Sequence, residues 1–209
     1  MDPEKERASM VKHQLRRRGI ADSRVLGAMG EVPREAFVPD ANKKDAYADG
    51  ALPLSHGQTI SQPLMVAMSI EALQLEGDET VLEVGAGSGY QAAVLSRLVK
   101  KVYAIEIIPE LVSHARRALD SLGIDNVEII CADGRKGWPD GAPYDGIVVA
   151  AAAEEVPPAL VEQLKEGGRL VIPVGGRWGQ SLQASRKRGG KLETAELCGV
   201  VFVPLVYGS

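Results

Sequence analysis

Between residues 78 and 175 the chain alternates short apolar runs with amphipathic stretches of about ten residues, and this alternation constrains the fold more than any other feature. Thr80-Val-Leu-Glu-Val, then residues 101–106, 126–131, 144–150 and 168–174, read as strands. Residues 90–99, 109–122 and 157–164 between them read as helices. Strands that alternate with helices predict a parallel sheet with helices on both faces, and strand interiors that are apolar on both sides agree with that burial. After Gly175 the helices stop, and residues 180–187 and 192–207 read as two or more strands that finish the sheet antiparallel. The fold class is therefore α/β, a Rossmann-like doubly wound sheet.

The region before residue 78 reads differently. Met10, Val11 and Leu15 recur at helical spacing within residues 4–18, and Gly19 stops that helix. Asp22 or Ser23 caps a short second helix. Residues 32–58, punctuated by prolines, read as loop, and Pro63 opens a helix to about residue 75. A length of 209 residues fits one domain. It divides into an N-terminal helical segment (1–77), a core of alternating strands and helices (78–175) and C-terminal strands (176–209).

Composition narrows the partners. A net charge of −4 argues against a surface built to wrap nucleic acid. The charged start, Met-Asp-Pro-Glu-Lys-Glu-Arg, has no apolar export core, and no run approaches the roughly 20 apolar residues that span a bilayer. A cytoplasmic monomer is expected. The two cysteines, Cys131 and Cys198, sit in apolar stretches and read as buried hydrophobes. His13, His56 and His114 are scattered, His114 reads as a helix-surface residue, and nothing has metal-site spacing. Arg16, Arg17 and Arg18 read as a solvated last helical turn rather than an anion site.

In a doubly wound sheet the ligand binds outside the carboxyl ends of the strands. The first strand ends in Glu83-Val-Gly85-Ala86-Gly87-Ser88-Gly89. Compared with the dinucleotide fingerprint, the third glycine comes one residue early. Glu83 adds a negative charge that suits a cationic ligand better than a pyrophosphate. The loop thus favours S-adenosylmethionine, with its sulfonium and ammonium, over NAD. Glu106 ends the second strand, 21 residues after Gly85, where an acid can accept from ribose hydroxyls. Asp133, at the end of the third strand, reads equally as an acceptor for an adenine amino group or as an Asp-Gly turn.

Gly57-Gln-Thr-Ile-Ser61-Gln-Pro63, Val81-Leu-Glu-Val-Gly-Ala-Gly-Ser-Gly-Tyr90, Tyr144-Asp-Gly-Ile-Val-Val and Leu164-Lys-Glu-Gly-Gly-Arg-Leu-Val-Ile-Pro-Val-Gly175 resemble the protein-L-isoaspartate O-methyltransferases, and Val201-Phe-Val-Pro-Leu205 resembles that family's C-terminal signature. The resemblance implies a class I methyltransferase that moves a methyl group from S-adenosylmethionine to the free carboxylate of isoaspartyl residues in damaged proteins. Gly85, Ala86, Gly87 and Ser88 would cradle the methionine end of the cofactor, with Glu83 beneath. Glu106 would hold the ribose, and Asp133 and Gly134 would bracket the adenine. Ser61 would sit beside the transferring methyl, Thr59 and Ile60 would shape that wall, and Val203 and Leu205 would hold the peptide through the backbone. Ala150 and Ala132 depart from the Thr and Gly that many members carry. A carboxylate acceptor, with a pKa of roughly 4, is ionised at neutral pH and needs no general base. That fits a chain with no obvious catalytic dyad, in which Ser61 has only to orient the acceptor or, on its own, to cap the following helix. Alternatives are a methyltransferase for another small acceptor, an NAD-dependent oxidoreductase, and a non-catalytic protein that binds the cofactor or isoaspartyl chains.

Overall fold

The computed structural model describes residues 2–176 and 179–206. Helix α1 (Pro3–Met10) continues through a π turn (Val11–Leu15) and a 3₁₀ turn (Arg16–Arg18) and stops at Gly19, whose φ is 101°. Helix α2 (Ser23–Glu31) is capped by Asp22, whose carboxylate accepts from Arg24 N at 2.7 Å. The loop predicted over residues 32–58 contains short 3₁₀ turns and strand β1 (Leu52–Pro53), which pairs antiparallel with β2 (Thr59–Ile60). Helix α3 (Pro63–Leu73) follows.

Among the described residues the main sheet has seven strands: β3 (Thr80–Val84), β4 (Lys101–Glu106), β5 (Val127–Cys131), β6 (Tyr144–Val149), β7 (Leu164–Gly176), β8 (Gly179–Arg188) and β9 (Lys191–Val200). Their order is β5-β4-β3-β6-β7-β8-β9, parallel from β5 to β7 and antiparallel from β7 to β9. Helix α4 (Tyr90–Ser96) links β3 to β4, α5 (Pro109–Ser121) links β4 to β5, and α6 (Pro158–Gln163) precedes β7. The chain winds outward from β3 to β5 and then crosses back to β6. The β3/β6 boundary is therefore the switch point, where such sheets leave a crevice.

Strand alternation sorts the core into two layers. Val81, Val102, Ala104 and Val148 face a layer formed with α3, α4, α5 and the N-terminal helices. Leu82, Val84, Ile105 and Ile147 face the other, closed by Leu160 of α6 and by Trp138. Since side chains alternate, Glu83 lies on the Val81 face and Glu106 on the Ala104 face, both toward the helical layer. Among the described residues, no helix is long and apolar enough to cross a membrane.

Four expectations change. Strand β7 begins at Leu164 rather than 168, because Leu164 pairs with Tyr144 before a register shift that Gly167, at φ 81°, accommodates. Among the described residues beyond Val200 there is no further ladder strand, and Pro204 has no N–H to donate to one. Residues 201–206 make one bridge, with Val203 O accepting from Ala152 N and Leu205 N donating to Ala152 O, each at 2.8 Å, and the expected strand end at Tyr207 lies outside the described residues. Cys131 is exposed, not buried, because it ends β5 at the sheet edge; Cys198 is half-buried, 3.6 Å from Met68 Sδ. His114 is half-buried, with Nε2 3.4 Å from the Phe37 carbonyl oxygen, rather than on the surface.

Candidate functional site

At the end of β3 the chain turns at Gly85, whose φ of 85° is the left-handed region that L side chains rarely adopt. The turn consumes its own donors. Gly85 N and Ala86 N both donate to Ile105 O, at 2.8 and 2.9 Å, and Gly87 N donates to Glu106 Oε2 at 2.8 Å. A pyrophosphate needs free N–H groups at such a loop. Three of those in this loop are committed, which argues against the dinucleotide reading.

Glu106 is buried and well supplied. Besides Gly87, it accepts from Ile107 N and Ile108 N through Oε1, at 2.8 and 2.9 Å. Those bonds fix the carboxylate at the edge of a small chamber lined by Gly85, Ile107, Ala132, Gly134 and Leu205. Gly134 is needed for close packing: a Cβ there would come within 2.4 Å of Val84 Cγ1. Asp133 turns elsewhere. Its carboxylate accepts from Arg135 N at 3.1 Å and pairs with the Arg135 guanidinium at 2.5 Å, which holds its pKa below the usual carboxylate value. The local turn of the sequence reading is thus formed, with the Asp133 side chain accepting from Arg135 N.

Glu83 is the opposite case. It is 0% exposed, and neither carboxylate oxygen has a hydrogen-bond partner. Burial pushes its pKa well above the ordinary value, and the neighbouring Glu106 pushes it further; only the adjacent Gln91 amide favours the charged form. Gln91, buried in α4, also leaves its Nε2 without a partner. Both border a second small chamber with Thr59, Ile60, Ser61 and Ala86. A buried acceptor pair left unmade is costly, so this pocket is poised for a cationic or donor-rich ligand.

The two chambers flank Gly85, with cavity volumes of about 40 and 30 Å3. Gln58 borders the first and residues 59–61 the second, so one loop roofs both. Ser61 is not spent on capping: the N-cap of α3 is Gln62, with no side-chain cap. Gln62 Nε2 instead donates to Asp49 Oδ1 at 2.6 Å, and Asp49 is held by Arg18 at 2.9 Å, which ties the loop to the N-terminal helices. Beyond Pro204 and Leu205, which also border the first chamber, a larger groove of about 750 Å3 runs past Glu154, Gln180 and Val201. Val203 O accepts from Ala152 N and Leu205 N donates to Ala152 O, which commits the Leu205 amide and leaves Val203 O a second lone pair; the Gln180 amide likewise grips Phe202 N and O, at 2.6 and 3.1 Å.

Sequence reasoning missed Gln91 and Gln180. Gln91 had a readable signal, a lone amide in the apolar run Tyr90-Gln-Ala-Ala-Val-Leu95. Gln180 sits in an alternating strand and had none.

A family model described as protein-L-isoaspartate(D-aspartate) O-methyltransferase matches residues 5–209. A protein-L-isoaspartate O-methyltransferase from Roseiflexus castenholzii is 54% identical over 208 residues, covering 100% of this chain and 95% of its own. One from Methanoculleus marisnigri is 49% identical, covering 97% and 92%. A solved protein-L-isoaspartate O-methyltransferase superposes with a TM-score of 0.88 at 31% identity, over 97% of this chain and 66% of that one. A Plasmodium falciparum protein of the same description, in complex with S-adenosyl-L-homocysteine, superposes with a TM-score of 0.84 at 30% identity, over 96% and 98%.

Proposed function

The chain belongs to the protein-L-isoaspartate(D-aspartate) O-methyltransferase family, and from that premise we propose how its residues divide the work. It is an S-adenosylmethionine-dependent methyltransferase acting on the free carboxylate of L-isoaspartyl residues in damaged proteins. In the proposed division Glu83 receives the cationic amino-acid end of the cofactor. Gly85, Ala86, Gly87 and Ser88 wall it, and Glu106 receives the ribose hydroxyls with the lone pairs its backbone donors leave. Ala132 and Gly134 border the adenine, while Asp133 shapes the turn from outside. The observation that carries this reading is the fully buried Glu83 carboxylate with no partner, facing a chamber shared with Ser61.

When bound, the cofactor supplies an electrophilic methyl on its sulfonium. The protein's part is placement, which is worth on the order of 7–11 kcal/mol when orientation and solvent reorganisation are prepaid. Ser61 orients the acceptor carboxylate with a neutral hydroxyl. A cation in that place would stabilise ground-state charge that disappears in the transition state. Thr59 and Ile60 shape the wall beside it. Residues 58–61 and 204–206 border the two chambers and wall the cofactor on the side facing the substrate. The flanking substrate chain lies in the 750 Å3 groove, which Val201, Pro204 and Leu205 border, and the 203–205 segment holds it through backbone groups that Ala152 leaves open.

On this reading the enzyme works as a cytoplasmic monomer on polypeptides, not on nucleic acid or membrane. Support comes from the net charge of −4 and from edge strand β9, where Lys191, Glu193 and Glu196 discourage pairing between copies. The deciding experiment offers labelled S-adenosylmethionine and two peptides that differ only in one Asp or isoAsp linkage. Base-labile methyl incorporation into the isoAsp peptide alone is expected. Incorporation into neither, with cofactor binding intact, would point to another acceptor or to a binding role. Ser61→Ala should lower kcat/KM about 100-fold through lost positioning while the cofactor Kd is unchanged. An unaltered kcat/KM would remove Ser61 from the mechanism.

A further inference from the structure

Three polar atoms are stranded together beside Ser61: Glu83 Oε1, Glu83 Oε2 and Gln91 Nε2. They are chemically opposite, the two acceptor oxygens of one carboxyl group and one neutral donor. Gln91 lies beside Glu83 without completing a hydrogen bond to it. Both side chains are more than nine-tenths buried, and both border the same chamber. A pocket meant only for an ammonium has no use for an amide donor. One meant for a carboxylate would not bury an acid. An amino-acid head group, with its α-ammonium and α-carboxylate on one carbon, satisfies both at once.

We propose that Glu83 and Gln91 form a zwitterion reader for the amino-acid end of the cofactor, Glu83 accepting from the α-ammonium and Gln91 Nε2 donating to the α-carboxylate. Gln91 is thereby a binding residue in its own right and not a prop for Glu83. The inference rests on the cofactor reading above and adds to it which side chain recognises which charge. Its position explains why an amide stands among the apolar residues of α4: Gln91 borders the same chamber as Glu83, which alternation on β3 turns toward the helical layer.

Calorimetry with S-adenosyl-L-homocysteine, its decarboxylated analogue and its deaminated analogue tests this. Gln91→Leu should weaken S-adenosyl-L-homocysteine and the deaminated analogue about tenfold or more, as for a lost hydrogen bond to a charged group, and leave the decarboxylated analogue unchanged. Equal losses for all three ligands would overturn the proposal and make Gln91 a structural support. If Gln91→Leu does not fold, the wild-type protein alone suffices: the decarboxylated analogue should bind about tenfold more weakly than S-adenosyl-L-homocysteine. Equal affinity there would overturn the proposal too. A wild-type protein that binds none of the three would instead remove the cofactor reading on which it stands.

Discussion

Glu83 and Glu106 end adjacent parallel strands, point to the same face and are both buried, yet their surroundings are opposites. Glu106 accepts from three backbone N–H groups; Glu83 accepts from none. The difference arises from where each strand turns. After β4 the chain folds back so that Ile107 and Ile108 donate to the Glu106 carboxylate, and the β3 loop adds Gly87. After β3 the loop donors are drawn to Ile105 O and Glu106, away from Glu83. One carboxylate is thereby built into the scaffold, and the other is left with an interaction that only a ligand completes.

The sharpest way to break the comparison is to neutralise Glu83. Glu83→Gln should weaken S-adenosyl-L-homocysteine binding about 100-fold, because the buried ammonium loses its counter-charge. The same change should stabilise the ligand-free protein. Burial holds the folded-state carboxyl above its ordinary value, so the folded protein binds that proton more tightly than the unfolded chain does. Stability from this group is thus present below the ordinary value of 4.5 and lost as pH rises through the folded pKa. Glu83→Gln should therefore gain roughly 1–3 kcal/mol at neutral pH and nothing below the ordinary carboxylate range. Denaturant titrations at several pH values measure it; a loss of stability at neutral pH would mean that Glu83 has partners after all.

Glu106→Gln should run the other way. The amide turns NH2 toward at least one backbone N–H that now donates to the carboxylate, leaving a buried donor unmatched. A loss of roughly 1–3 kcal/mol is expected, with cofactor affinity falling about tenfold as the acceptor geometry is disturbed. The same chemical substitution on neighbouring strands thus moves stability in opposite directions. If both lowered it alike, the contrast between the two carboxylates would be void.

The parts of this arrangement that the sequence announces are those written in consecutive residues. An apolar run that enters Gly85-Ala-Gly87-Ser-Gly89 names the switch-point loop, and Glu83 and Glu106 follow from strand length. Gln91 carried a local oddity, but its meaning depends on α4 crossing β3, which periodicity does not encode. Leu164 joins β7 through a register shift with Tyr144, a tertiary choice between two plausible starts. Cys131 reads as core because its neighbours are apolar, yet strand order places β5 at an edge. Val203 and Leu205 were legible as a segment, but not which of their backbone groups Ala152 would take.

Asp133 tests how far the comparison extends, since it stands in the turn that follows β5 in the same half-sheet. Its carboxylate is neither stranded like Glu83 nor embedded like Glu106; it is spent on Arg135, two residues along. That partner holds its pKa below the ordinary value, so its contribution to stability is present above the ordinary Asp value and lost as pH falls through the folded one. Asn still caps the Gly134–Lys136 turn, because its side-chain oxygen can accept from Arg135 N, and only the part-buried, two-pronged ion pair with Arg135 is lost. Asp133→Asn should accordingly shift cofactor affinity less than about twofold, because the ion pair it removes lies within the turn and does not border either chamber. A tenfold loss confined to adenine-bearing ligands would instead mean that Asp133 leaves Arg135 on binding, and that the end of β5 reads the base as the ends of β3 and β4 read the rest of the cofactor.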